Sequence, residues 1–295
     1  MNQYLLLTLA TLPSVYIGYS LLEADKKDRN NTIVYQLFFI GLALALPIVF
    51  LENYLIENVL QASPFTFAFL VASLIEEGIK LLVLLGVISI IKEKVDNGDY
   101  TLKKLDTYHY ILLSVAISLG IATAENIVYV INNGVTNAIF RAIFAVPMHA
   151  SCGYLMGYIY SSKDTTTTTT FDAFIVPFLV HGFYNFCQLS KEIPDFIAFV
   201  FIAVVIWGVI QLHKVVVAFH FSSKEKVKFS WQENLIKPGL GEIHTLNSFN
   251  DKIWPLLIYL LFVCIGITIF FYTPIADFIF NIIEEVLKFI LSFFE

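Results

Sequence analysis

The chain has 295 residues, of which 58% are hydrophobic and only 14% are Asp, Glu, Lys or Arg. A soluble domain carries about 25% charged residues, and a chain this apolar cannot cover its surface with polar groups, which excludes a soluble enzyme, a disordered chain and a disulfide scaffold. The net charge of −6 argues against nucleic acid as a partner, since that needs a basic face.

Apolar stretches of about 17–25 residues are spanning-helix candidates, because ~30 Å of hydrocarbon takes about 20 residues at 1.5 Å each. The composition and these stretches predict an all-α polytopic membrane bundle with about eight transmembrane helices. They cover residues 4–22, 33–51, 64–91, 108–131, 137–160, 171–189, 195–212 and 253–272. The start, Met1-Asn2-Gln3-Tyr4, lacks a basic n-region, so the first apolar run is expected to stay in the mature protein. Cys152, Cys187 and Cys264 fall inside apolar runs without a C-x-x-C, which reads as packing rather than a disulfide framework.

Loop charges set the orientation. Lys26, Lys27 and Arg29 lie in 23–32, Lys92, Lys94, Lys103 and Lys104 in 92–107, and Lys163 in 161–170. Lys214, Lys224, Lys226, Lys228, Lys237 and Lys252 lie in 213–252. The alternate loops 52–63, 132–136 and 190–194 hold Lys191 alone. Cytoplasmic loops are the Lys/Arg-rich ones, so both ends are expected outside the cytoplasm in the cell membrane.

Three regions divide the chain: a membrane-embedded core over 1–213, a basic cytoplasmic loop over 214–252 and a final unit over 253–295. The threonine run at 165–170 reads as a short linker. In the last segment Asp277, Asn281, Glu284, Glu285, Lys288, Ser292 and Glu295 recur mostly every 3 or 4 residues. That spacing predicts a C-terminal amphipathic helix in the outer interface, with a ninth span as the alternative.

Ionisable groups at membrane depth cost a few kcal/mol each and are functional candidates by default. The third span carries Glu76, Glu77 and Lys80, with Glu76 and Lys80 one turn apart. The fourth carries Glu125 and Asn126, the fifth Arg141 and His149, and the sixth His181 and Asn185. At 1.5 Å per residue, Glu76, Glu77 and His149 lie ~18 Å below the outer edge, His181 ~12 Å, Glu125 ~9 Å and Asn185 ~6 Å. Four helices thus place polar groups in the outer half of the bilayer. Gly153 and Gly157 follow His149 at i+4 and i+8, and Gly120 and Ala124 precede Glu125; such small stripes let helices approach closely. Lys80 reads as the counter-charge of Glu76, Arg141 as an interfacial anchor, and Glu125 and Asn126 as candidate supports. His109, His213, His220 and His244 sit in or beside loops and receive no role.

Two chemistries suit this set. A buried carboxylate with a neighbouring His can deprotonate water, while a second His and an Asn amide donate to an oxyanion. Alternatively, His149, His181 and Glu76 could hold zinc with a position left for water. The H-E-x-x-H, G-x-S-x-G and paired-Asp signatures are all absent.

Glu76-Glu77-Gly78-Ile79-Lys80 resembles the E-E-x-x-K motif of the PrsW intramembrane proteases, and Glu125-Asn126, His149 and His181-Gly182-Phe183-Tyr184-Asn185 match that family's later motifs in order. The resemblance covers spans one to seven. The wider superfamily holds CAAX prenyl proteases and bacteriocin-processing or immunity membrane proteins. The resemblance implies hydrolysis of a membrane-anchored protein, such as an anti-sigma factor in a stress response. It implies that Glu76 with His149 activates water, that His181 and Asn185 stabilise the oxyanion, and that Glu77 supports. The CAAX branch places an Arg where this chain has Lys80, one position earlier. Both metal-dependent and glutamate-type mechanisms have been attached to the family. A non-enzymatic immunity or partner-binding protein on the same scaffold is the alternative from another class. A proton-coupled transporter is a third, although the chain shows no inverted repeat.

Overall fold

The computed structural model describes residues 3–23, 31–58, 63–98, 104–162, 169–191 and 193–229. The eighth expected span, the C-terminal amphipathic helix, Cys264 and His244 lie outside these residues. Among the described residues the structure is helical, with no strand. The helices are α1 Gln3–Glu23, α2 Asn31–Asn58, α3 Leu74–Asp96, α4 Thr107–Phe140, α5 Val146–Ser162, α6 Thr170–Leu189 and α7 Asp195–Phe229. Two π-helical stretches, Thr66–Ser73 and Arg141–Ala145, lead directly into α3 and α5.

Four helical stretches among the described residues are long and apolar enough to cross a membrane: Tyr4–Glu23, Thr32–Asn58, Thr107–Ser162 and Phe196–Ala218. The third spans 56 residues and contains a break at Gly134. α3 and α6 fall short on apolarity because they carry the Glu, Lys, His and Asn side chains of the interior. Large apolar side chains such as Tyr16, Leu46, Phe50 and Leu82 are bare on the outside, as a lipid-facing surface requires.

α4 is the central helix and packs on α1, α2 and α5. The Tyr108 hydroxyl donates to the Leu21 carbonyl at 2.6 Å and the Asn126 amide to the Ala10 carbonyl at 2.6 Å, so α1 runs antiparallel to α4. A Cβ on Gly120 would run into the Phe38 carbonyl oxygen, and one on Gly41 into the Ile117 carbonyl oxygen; the α2–α4 crossing therefore needs both glycines. At Gly134 the chain takes φ 77°, a conformation open to glycine at no steric cost. The turn sends α5 back along α4, where Gly153 lies against Ser114 and Ser118 and Gly157 against Tyr110. α6 returns antiparallel to α3, as Phe65–Phe186, Gly182–Phe69 and Gly78–Phe174 show. Helix directions alternate here as an up-and-down threading demands.

Several boundaries differ from the sequence expectations. α2 continues past 51 to Asn58, which places Glu52 on a helix rather than in a loop. α7 continues past 212 to Phe229, so the first part of the basic segment is helical. The last threonines of the run at 165–170 cap α6: the Thr169 hydroxyl accepts from the Asp172 N–H at 3.3 Å, and the Thr169 N–H donates to the Asp172 carboxylate at 2.6 Å. Cys152 and Cys187 are buried, in keeping with a packing role. At the N-terminus of α4, Asp106 caps the helix by accepting from the His109 N–H at 3.1 Å. Its other oxygen lies 2.9 Å from His220 Nδ1 on α7. Two histidines left without a role in the sequence thus meet at a helix end.

Candidate active site

The π stretch Thr66–Ser73 ends three residues before Glu76, and Arg141–Ala145 ends four before His149. Each inserts an i→i+5 turn that rotates the downstream side chains around the helix axis, and such turns are frequent at functional sites. With these offsets, α3, α4, α5 and α6 aim their polar side chains at one interior point.

Glu77 and Lys80 are fully buried and Glu76 is 4% exposed. The Lys80 ammonium donates to Glu77 Oε1 at 2.7 Å and to Glu76 Oε2 at 3.4 Å. Its nearer partner is Glu77, whereas the helical spacing alone pointed to Glu76. Glu77 Oε1 also lies 2.7 Å from His181 Nδ1, which ties α3 to α6. The opposite ring nitrogen, Nε2, faces Glu76 Oε1 at 3.7 Å. His149 is arranged in the same way. Its Nε2 lies 3.3 Å from Glu125 Oε2, and its Nδ1 lies 3.7 Å from Glu76 Oε2 and 3.3 Å from the Lys80 ammonium. The two rings are 5.0 Å apart, centroid to centroid, and steeply inclined.

Each imidazole is therefore held by one carboxylate through one nitrogen and presents the other to Glu76. At 3.7 Å both nitrogens are beyond a direct hydrogen bond to Glu76 but close enough to share one water with it, which is the reach that water activation needs. One donor atom each from Glu76, His149 and His181 lies within 4.8 Å of the others. A carboxylate and two imidazoles, each imidazole oriented by a further carboxylate, is the donor chemistry of catalytic zinc with its outer shell. The residues present fit such an ion.

Glu125 and Asn126 meet the side chain that the sequence pattern set at the interface. Arg141 Nε donates to Asn126 Oδ1 at 2.9 Å and Arg141 Nη2 to Glu125 Oε2 at 3.2 Å. The guanidinium also lies 4.2 Å from the Tyr129 ring centroid. Arg141 is thus a brace of the site, not an anchor. An i-to-i+16 pairing across a turn gives no periodic signal, so the sequence offered no way to find it.

A cavity of about 510 Å³ opens beside these groups. Glu76, Glu125, His149, His181 and Asn185 line it, and so do Glu52, Tyr129, Asn137, Arg141 and Tyr184. Asn185 is half-buried one helical turn beyond His181. Glu77 and Lys80 do not line the cavity; they lie behind it. Glu52 was missed because the apolar run stops at Leu51; the helix carries it one step further, into the cavity wall. Its only sequence signal is a carboxylate immediately after a long apolar helix.

Comparison with known proteins agrees with this geometry. Residues 30–210 match the PrsW family of intramembrane metalloproteases. The chain is 35% identical over 182 residues to Protease PrsW of Oceanobacillus iheyensis, covering 60% of this chain and 77% of that one. It is 30% identical over 218 residues to Protease PrsW of Clostridioides difficile, covering 69% and 87%, and 29% identical over 199 residues to that of Geobacillus kaustophilus, covering 66% and 84%. No solved structure matches. With a family match over most of its length and a helical, apolar body around a Glu/His centre, the chain belongs to the PrsW family of intramembrane metalloproteases and is a membrane-embedded peptidase.

Proposed function

We propose that this chain hydrolyses a peptide bond of a membrane-anchored, single-span protein of the anti-sigma-factor kind, near the extracytoplasmic face. The observation that carries the reading is the convergence of Glu76, His149 and His181 on one cavity of about 510 Å³. Eight spans, with the N-terminus extracytoplasmic and the core in 1–213, are the topology that sets this cavity toward the outer face. The basic segment at 214–252, whose first part continues α7, and the unit at 253–295 are additions to that core.

Glu76, with His149 beside it, takes a proton from a water in the cavity. The resulting hydroxide attacks the carbonyl carbon and forms a tetrahedral oxyanion. The Asn185 amide, and His181 with a proton on each ring nitrogen (Nδ1–H on Glu77, Nε2–H toward the cavity), donate hydrogen bonds to that oxyanion. When the C–N bond breaks, Glu76 returns its proton to the leaving amine, leaving a carboxylic acid and an amine as products. Glu77 fixes the His181 ring, and Lys80 neutralises the buried pair of glutamates. Glu125, Asn126 and Arg141 hold His149 from the other side. In the zinc-dependent alternative the ion would be held by Glu76, His149 and His181, which would then serve as ligands instead of as base and oxyanion donor, and it would supply Lewis-acid polarisation of the water and the carbonyl.

The test is cleavage of single-span membrane proteins by the purified chain in lipid, read by mass spectrometry. A cut made by the wild type and lost in Glu76→Gln supports the reading, and loss with a chelator, restored by zinc, assigns the ion. A cut that survives Glu76→Gln contradicts it.

A further inference from the structure

The wall of the same cavity holds two further oxygens that no group of the described residues engages. Glu52 Oε1 on α2 and Asn137 Oδ1, just past the Gly134 turn of α4, are buried and have no hydrogen-bond partner among the described residues. Both residues line the cavity. Buried polar atoms in a folded protein are normally paired, and an orphan needs an explanation. An amide oxygen and an ionised carboxylate oxygen both accept, so the group that would satisfy them is a donor, and a cation would also hold Glu52 ionised.

The cavity already contains a worked instance of what such a pair holds. Arg141 is gripped by a carboxylate oxygen of Glu125 and an amide oxygen of Asn126. Glu52 and Asn137 repeat that acceptor pair, one carboxylate and one amide, on the same cavity. Among the described residues no cation of the chain takes the place of Arg141 here. The two nearby cations are committed, Arg141 to Glu125 and Asn126, and Lys80 to Glu77 and Glu76. A peptide N–H would meet one oxygen. A guanidinium offers five N–H donors in a planar fork, enough to serve a carboxylate and an amide oxygen together.

We propose that Glu52 and Asn137 form a specificity subsite that receives a basic side chain, arginine above all, of the protein substrate next to the cleaved bond. The proposal rests on the peptidase reading of the same cavity. Its consequence is a preference for substrates with a basic residue near the scissile bond. A neutral residue of the same shape would give Glu52 Oε1 no charged partner.

The test is binding, so that it does not depend on a cut. The full chain in nanodiscs of zwitterionic lipid is titrated calorimetrically with N-dodecanoyl-arginine amide and with its neutral isostere, N-dodecanoyl-citrulline amide. The wild type is expected to bind the arginine probe about tenfold more tightly. Glu52→Gln should bring the two probes to within about threefold, and Asn137→Asp, which adds a second carboxylate, should widen the difference. Equal binding of both probes by the wild type, or an unchanged preference in Glu52→Gln, overturns the subsite. If Glu52→Gln does not fold, Asn137→Asp decides alone, and a preference that fails to widen overturns it. A wild type that shows the Glu52-dependent preference but cuts no single-span protein keeps the subsite and removes the peptidase reading. A wild type that cuts and shows no preference does the reverse.

Discussion

α4 carries one His–carboxylate cluster at its N-terminus and another just past its middle, and the two behave differently. At its N-terminus, Asp106 meets His109 and His220. About 28 Å along the helix, Glu125 meets His149 and, through it, Glu76 and His181. The residue types are the same. At Asp106 the contacts include a reciprocal cap, with the carboxylate accepting from the His109 N–H and the Asp106 N–H donating to the His109 ring at 3.2 Å. Half of the Asp106 side chain stays in contact with solvent. At Glu125 the partners come from three other helices, every imidazole keeps a nitrogen facing Glu76, and a cavity lies alongside. Side chains that satisfy the backbone of their own helix build structure. Side chains that converge from several helices and still face an open volume can do chemistry.

The sharpest break of this comparison is Glu76→Gln. Removing the proton acceptor should lower cleavage by about 10²–10⁴-fold, with thermal unfolding in detergent nearly unchanged. Lys80→Met should act through stability instead. It leaves the Glu77 and Glu76 charges buried without their cation, a loss of about 3–5 kcal/mol, measured as a large fall in Tm; adding Glu77→Gln should recover part of it. Asn185→Ala removes one oxyanion donor and should reduce kcat by about 10²–10³-fold.

The fold and the centre of the site were largely legible in the sequence. Charged and imidazole side chains inside apolar runs are visible as anomalies, and their order across four spans named Glu76, Glu77, Lys80, Glu125, His149, His181 and Asn185 before any geometry. What the sequence concealed depends on neighbours. The π stretches that aim Glu76 and His149 come from backbone register, which leaves no compositional trace. Arg141 finds Glu125 and Asn126 only because Gly134 folds the chain back. Glu52 looked like a loop residue because hydropathy ends at Leu51, whereas the backbone hydrogen bonds of α2 continue to Asn58.

The smallest expected effect belongs to the Asp106 end. Burial raises the Asp106 carboxyl, but the hydrogen bonds and charge of His109 and the charge of His220 outweigh this and hold it below its ordinary value. A depressed carboxyl stabilises the fold above its unfolded pKa of about 3.9. That contribution is lost as the pH falls through the lower, folded value. Asp106→Asn keeps a capping side chain but removes its charge, and should therefore lower stability by about 0.5 kcal/mol at neutral pH. The difference from wild type should close under strongly acidic conditions, as followed by Tm against pH.

Cleavage and thermal unfolding of Glu76→Gln and Asp106→Asn, measured side by side with the wild type on one membrane-anchored substrate, test the account most directly. The account predicts that Glu76→Gln loses the cut and keeps its Tm, while Asp106→Asn keeps the cut and loses Tm. A Glu76→Gln protein that still cuts, or an Asp106→Asn protein that stops cutting at unchanged Tm, would contradict it.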